Sequence, residues 1–231
     1  MRISVRGTGR VRLPAELGAI RLRAVFEGPE RAETARRTTR LAAELRAELE
    51  RLAEADGPVV SFAVDEVSAF NRSTLLDGGL RREFHSSIGA RAVFRDFRAL
   101  GDFAARWGER EGVEIQHIAW SLTERTRAER ERETLSDAVR DARERAGWIA
   151  TALGLGPVRP VSVSEPEHEF PEAEGGYGGM RAAAAFMDPG PQSVELSPQD
   201  VLLQACVHAV FEPAEGDGGR GLPHEHAPAR A

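Results

Sequence analysis

Apolar side chains recur along this chain with two alternating periods. A period of two residues predicts strands at 3–13, 19–27, 59–70, 83–95, 113–122, 158–164 and 199–211. A period of 3.6 residues predicts helices at 30–55, 97–110 and 123–153. Residues 71–80 include Asp77-Gly78-Gly79 and are predicted to form a loop or a hairpin turn.

The predicted order of elements, β-β-α-β-β-α-β-α-β-loop-β, indicates an α+β fold. We expect an antiparallel or mixed sheet with the helices on one side. One domain is predicted at 1–212, with a mobile Gly- and Pro-rich loop at 166–191. Residues 213–231 are predicted to be a disordered tail.

The longest predicted helix, 123–153, has two different halves. Its first half, 124–133, is almost wholly charged and is expected to project into solvent. A stripe of small and apolar residues in the second half is suited to close packing on a sheet: Leu135, Val139, Ala142, Ala146, Ile149, Ala150 and Leu153. Gly154 and Gly156 then end the helix.

The composition narrows the class of protein. The chain has 231 residues, 41% hydrophobic and 29% charged, which is typical of a soluble globular protein. Its net charge of -6 argues against broad, nonspecific binding of nucleic acid, because phosphate neutralisation needs a basic surface. No apolar run is long enough to predict a membrane span.

Three segments carry a resemblance to a known family. The chain opens on Ile3-Ser4-Val5-Arg6-Gly7-Thr8-Gly9, a strand with a Gly-x-Gly. The helical segment 138–146, Ala-Val-Arg-Asp-Ala-Arg-Glu-Arg-Ala, continues to Gly154-Leu155-Gly156 and Val161-Ser162. With the closing strand at 201–211, these segments resemble the SIMPL-domain family, a domain of unknown function that includes bacterial periplasmic immunogenic proteins. The resemblance covers about residues 1–212.

The resemblance implies an α+β domain, and it implies self-assembly because some members form large ring- or channel-like oligomers. The family has no established catalytic residues, so it implies none here. Many members carry a signal peptide. This chain passes from Met1 directly into a strand pattern, with no apolar signal core, so we expect a cytoplasmic protein.

No catalytic, cofactor or metal motif stands out, and we predict no such site residues. Gly7-Thr8-Gly9 lacks the third glycine and the following helix of a dinucleotide fingerprint, so relief of backbone strain or close strand packing is favoured. Gly175 to Gly179 lacks the Lys-Ser/Thr of a phosphate loop, and a flexible linker is favoured. The single cysteine, Cys206, lies in an apolar strand and is predicted to be a buried thiol.

The histidines are the remaining candidates for chemistry. His85, His117 and His208 fall on predicted strands opposite the apolar faces, which favours surface positions. His168 lies between two glutamates and His224-Glu225-His226 lies in the tail, so neither forms an ordered metal site. Ser86, Ser87 and Asp65 complete no recognisable catalytic triad.

Two surface features have alternative interpretations. The Arg-rich helix start, 125–132, is a docking surface or, as its interleaved glutamates favour, a solvated face. Phe70, Phe84, Phe94 and Trp120 are predicted to be core, and an outward aromatic among them would indicate an interface.

Three functions follow from these observations, in order of preference. The first is a non-enzymatic structural or interaction module, self-associating through strand edges and open to a protein partner. The second is a small-molecule binding protein that uses a cavity under residues 166–191. The third is an uncharacterised enzyme, which a cluster of His85, His117 or His208 with carboxylates in a concave pocket would favour.

Overall fold

The computed structural model describes the backbone of residues 1–76, 79–166 and 196–214, and the side chains of 1–71, 83–166 and 196–214. Three helices are described: α1 Arg31–Leu52, α2 Phe97–Gly108 and α3 Glu124–Ala152. The described strands are β1 Ile3–Leu13, β2 Leu17–Gly28, β3 Val59–Val64, β4 Ser68–Leu76, β5 Gly79–Phe94, β6 Val113–Ser121, β7 Val158–Ser164 and β8 Val201–Pro213.

The predicted α+β class is confirmed, but the predicted strand order lacks one strand. The single strand predicted at 59–70 is two strands, β3 and β4, and the segment predicted as a loop is mostly strand. Both strands pair with β5: β3 lies along its last residues and β4 along its first. Asp65 marks the break, and its N–H donates to the carbonyl of Gly89 at 2.9 Å. Residues 166–191 and the tail lie almost wholly outside the described residues.

The described chain divides into two compact units. Unit 1 contains residues 1–11, 129–166 and 203–214. Unit 2 contains residues 12–128 and 196–202. Each unit has its own sheet and its own apolar core.

Unit 2 is built on large apolar side chains. Its sheet has the order β3-β5-β2-β6, with β4 paired to β5, and all these pairs are antiparallel. The alternation of β2 points one set of side chains at α1 and α2 and the other set at solvent. The largest fully buried members of the core are Trp107, Phe94, Phe103, Ile20, Leu22, Leu45, Leu49 and Leu100.

Unit 1 is built on small side chains and glycine. Its sheet has the order β1-β8-β7, and α3 packs on it through Ala138, Ala142, Ala146 and Ala150. A Cβ added at Gly7 would lie 2.0 Å from the carbonyl oxygen of Ala138, and one added at Gly9 would lie 2.0 Å from that of Thr134. The Gly-x-Gly of β1 therefore lets the helix backbone contact the strand backbone, which confirms close packing as its role.

This close contact corrects the predicted packing stripe of α3. Ala142, Ala146 and Ala150 face the sheet as predicted. The larger members of the stripe are 36–52% exposed: Leu135, Val139, Ile149 and Leu153. At this separation only small side chains fit between helix and sheet, so the large ones lie outside the contact.

Carboxylates fix the ends and faces of α3. In unit 1, Asp141 Oδ2 accepts from the Thr8 N–H at 2.8 Å, and this hydrogen bond holds the pKa of Asp141 below its ordinary value. In unit 2, Glu16 accepts from the Thr123 N–H at 2.7 Å and from the hydroxyls of Thr123 and Thr126. These bonds, led by the Thr123 N–H, lower the pKa of Glu16.

Candidate functional site

His85 lies at the centre of a cross-strand row in unit 2. On β5 it stands directly opposite Glu27 of β2 on one side and Phe70 of β4 on the other. Cross-strand partners share a face of the sheet, so the three side chains lie together. The apolar residues of β5 that face the helices have the other parity, so this row is on the opposite face.

The contacts of His85 fix its imidazole. Its Nδ1 lies 2.7 Å from Glu27 Oε1. The Phe70 ring lies parallel to the imidazole, with 5.0 Å between ring centroids and 1° between planes. His85 is only 6% exposed, whereas Phe70 is 48% exposed and covers it. In a neutral imidazole, the bond to Glu27 places the proton on Nδ1 and leaves a lone pair on Nε2.

The far nitrogen of this imidazole is a buried polar atom without a partner. His85 Nε2 has no hydrogen-bond partner among the described residues, and neither does Ser86 Oγ. Most buried polar atoms in folded proteins are hydrogen-bonded, so such atoms concentrate where a ligand, an ion or a functional group acts.

A second carboxylate completes the cluster. Glu83 precedes His85 by two residues on β5 and therefore lies on the same face. One ligand atom from each of Glu27, Glu83 and His85 lies within 4.8 Å of the other two. One imidazole and two carboxylates at this spacing can share a proton or hold a divalent cation.

A cleft of about 110 Å³ lies beside this row, between the first turn of α1 and the paired strands β4 and β5. Residues from α1 and from both strands line it: Arg31, Thr34, Ala35, Ala69, Phe70, Asn71, Phe84, His85 and Ser86. The hydroxyl of Thr38 on α1 lies 3.1 Å from the Thr34 carbonyl and 3.4 Å from the Ser86 carbonyl of β5, to which it can donate. Glu30, the residue preceding α1, makes no side-chain cap, so the cleft lies beside uncapped N–H groups of the helix.

The structure places the predicted histidines differently from one another. The prediction of a surface position is wrong for His85 and confirmed for His117 and His208, which are exposed. His85 points away from the helices as predicted, but neighbouring strands cover it on that face. His168 and His224-Glu225-His226 lie outside the described residues.

The structure also shows the contacts and exposure of the other candidate residues. Ser87 Oγ accepts from Arg23 at 3.3 Å. Cys206 is buried as predicted, and the Nε of Arg6 donates to its Sγ at 2.8 Å. Phe94 is core as predicted, while Phe70 is the outward aromatic that would indicate an interface. The Arg-rich start of α3 is mainly exposed, as expected of a solvated face.

Unit 1 carries an apolar surface of its own, which we call the α3 apolar face. It consists of Trp148 and Ile149, neighbours near the end of α3; Leu135 and Val139 are exposed nearer the start of the helix, and Leu153 follows its end. Trp148 is 65% exposed. With Ile149, Arg145, Val5 and Arg6 it lines a shallow groove.

Comparison with known proteins gives a family and no curated relative. No helix in the described part of the chain is both long and apolar enough to cross a bilayer. No curated protein matches the sequence. The sequence profile of the SIMPL family, described as a protein of unknown function (DUF541), matches residues 3–211. That range includes the Gly-x-Gly, α3 and the closing strand, and the chain therefore belongs to the SIMPL family.

Proposed function

We propose that this protein is a structural or interaction module that self-associates through unit 1. The observation that supports this proposal is the α3 apolar face, where Trp148 and Ile149 are 65% and 39% exposed and line a shallow groove with Val5. Soluble monomers rarely leave contiguous apolar surface uncovered, and such surface usually marks a contact with a partner. An exposed tryptophan adds weight, because tryptophan is the side chain most enriched among residues that dominate binding energy.

The charges along α3 favour a second copy of this chain as the partner. Asp137 pairs with Arg140, and Asp141 pairs with Arg145 at 2.9 Å. These pairs lie within one helix, so the surface beside the apolar face is nearly neutral and does not repel a like surface.

The edge strand β7 offers a further contact in the same unit. Val161 and Val163 are 43% and 50% exposed on it. In the described residues β7 pairs on one side only, with β8. Unpaired strand edges invite pairing with another chain, although Pro160 removes one N–H donor from this strand. A two-fold axis would bring the same surfaces of two copies together.

The test is the absolute mass in solution at several protein concentrations, by light scattering coupled to size exclusion. We expect a multimer whose association constant falls about 30-fold, or about 2 kcal/mol, in Trp148→Ala. The matched control is Val60→Ala, which removes an exposed apolar side chain from β3 of unit 2 and should leave the mass unchanged. A monomer at high concentration, or equal effects of the two variants, would contradict the proposal.

Binding of a small molecule is the second candidate function. The residues predicted to form its site, 166–191, lie almost wholly outside the described residues, but the cleft beside α1 offers another position. Arg31 and the uncapped helix N-terminus favour an anionic group, and Phe70 and Phe84 supply apolar walls. A melting shift with small carboxylates that disappears in Arg31→Ala would support it.

The expectations that the protein is cytoplasmic and not an enzyme stay predictions.

A further inference from the structure

We propose that Glu27, Glu83 and His85 bind a divalent transition-metal ion on the open face of the unit 2 sheet. Their ligand atoms already lie within 4.8 Å of one another. Around a tetrahedral zinc ion with bonds of about 2.1 Å, donor atoms stand about 3.4 Å apart. Closing the set therefore needs movements of about 1 Å, and the side chain of Glu27 is 57% exposed and able to rotate.

The backbone holds two of the three donors in place. Glu83 and His85 project from the same face of β5, and Glu27 is the direct cross-strand partner of His85. The stacked Phe70 ring fixes the imidazole plane. A site whose ligands are fixed by strands and packing loses little conformational entropy when the ion binds.

The charge of the cluster favours a cation. Two carboxylates within 4.8 Å repel each other, and a positive charge between them relieves that repulsion. His85 Nδ1 and Glu27 Oε1 already lie 2.7 Å apart, so both donor atoms face the same point. One nitrogen and two oxygen donors suit borderline ions such as Zn²⁺ and Co²⁺, and leave coordination positions for water.

The experiment must separate this site from other histidines of the chain. His168 is flanked by glutamates and His224-Glu225-His226 lies near the C-terminus, so both segments can bind metal weakly. The starting protein is therefore the full chain with His168, His224 and His226 replaced by Ala. It is titrated with Co²⁺, read by visible absorption, and with Zn²⁺, read by calorimetry.

We expect one ion per chain. Glu83→Gln and Glu27→Gln should each weaken binding at least tenfold, because a neutral amide replaces a charged ligand. The matched control is Glu114→Gln, which changes an exposed glutamate on β6 of the same sheet and should bind as the starting protein does.

Glu83→Gln and Glu27→Gln are preferred to His85→Gln as test variants, because a substitution of the buried His85 would disturb the fold. Their ion-free melting curves, followed by circular dichroism, should match that of the starting protein. The proposal is overturned if the starting protein binds no Co²⁺ or Zn²⁺. It is equally overturned if Glu83→Gln and Glu27→Gln, correctly folded, bind as tightly as the control.

Discussion

Units 1 and 2 both pack helix on sheet, but they fill the interface differently. In unit 2, Leu45, Leu49 and Phe103 occupy the space between the layers. In unit 1, alanines of α3 meet the glycines of β1, and backbone contacts backbone. Unit 2 is therefore sensitive to lost volume, and unit 1 is sensitive to added volume.

The difference also explains where apolar surface lies. A face of alanine and glycine buries little apolar area per residue, and it has no room for larger side chains. The large apolar side chains of α3 therefore lie outside the contact, and Trp148 and Ile149 among them form the α3 apolar face. The packing of unit 1 thus leaves exposed the side chains that the proposed self-association uses.

The largest effect should come from adding one methyl group to unit 1. In Gly7→Ala the new Cβ would lie 2.0 Å from the Ala138 carbonyl and 2.6 Å from the Ala142 nitrogen. Backbone atoms cannot rotate away, so we expect a loss of about 4 kcal/mol, above the usual overpacking cost. Hydrogen exchange read by mass spectrometry should localise the loss to unit 1.

The control for that variant lies on the same helix. Gly147 is in α3, and a Cβ there would meet nothing within 4 Å. Gly147→Ala should therefore stabilise the protein by about 0.5 to 1 kcal/mol, since alanine is the better helix former. If Gly7→Ala were as well tolerated as Gly147→Ala, the close contact of β1 with α3 would be incorrect.

The second-largest loss of stability should come from removing volume from the core of unit 2. Leu49 is fully buried in the core between α1 and the sheet, so Leu49→Ala leaves a cavity and should cost about 3 kcal/mol. Faster hydrogen exchange is expected in α1, β2 and β5, with unit 1 unchanged. Leu153→Ala serves as the control, because this leucine, just after the end of α3, is half exposed and its loss should cost far less. Equal losses in the two variants would contradict the contrast between the units.

The smallest expected effect is on stability at acid pH. It can be compared between the two units, because each has one carboxylate with a lowered pKa. The folded protein holds the pKa values of Asp141 and Glu16 below their ordinary values through hydrogen bonds led by the Thr8 and Thr123 N–H groups. Their stabilisation is therefore fully present above the unfolded pKa of about 4 and is lost as the pH falls through the folded pKa.

Asp141→Asn and Glu16→Gln should each lower stability by about 1 kcal/mol at pH 7, because neutral acceptors make weaker hydrogen bonds. Both variants should also show a flatter decline of the free energy of unfolding between about pH 5 and pH 3. Urea unfolding across this range measures both quantities. An unchanged slope in both variants would show that other groups control acid stability.

The sequence predicts the local part of this fold and not its pairing. The helices are predicted to within three residues at each end, because caps and glycine stops are local signals. The split between β3 and β4 is missed, because it depends on how two strands share the edge of β5. The division of the strands into two sheets is not predicted either, because it too depends on which strands pair.

The candidate site shows the same limit. Strand alternation correctly places His85 on the face away from the helices, but its burial depends on Phe70 and Glu27 from other strands. The spacing of Glu83 and His85 was the available signal, since residues two apart on a strand share a face. The third member, Glu27, is reached only through the register of β2 with β5.

The parallel stacking of Phe70 on His85 also gives this imidazole its own magnetic environment. Ring currents shield nuclei above the face of an aromatic ring, so the carbon-bound imidazole protons of His85 should resonate upfield of those of exposed His117 and His208. A single one-dimensional proton spectrum then distinguishes His85 by chemical shift. Cobalt would broaden or displace that resonance before any other histidine signal of the described chain.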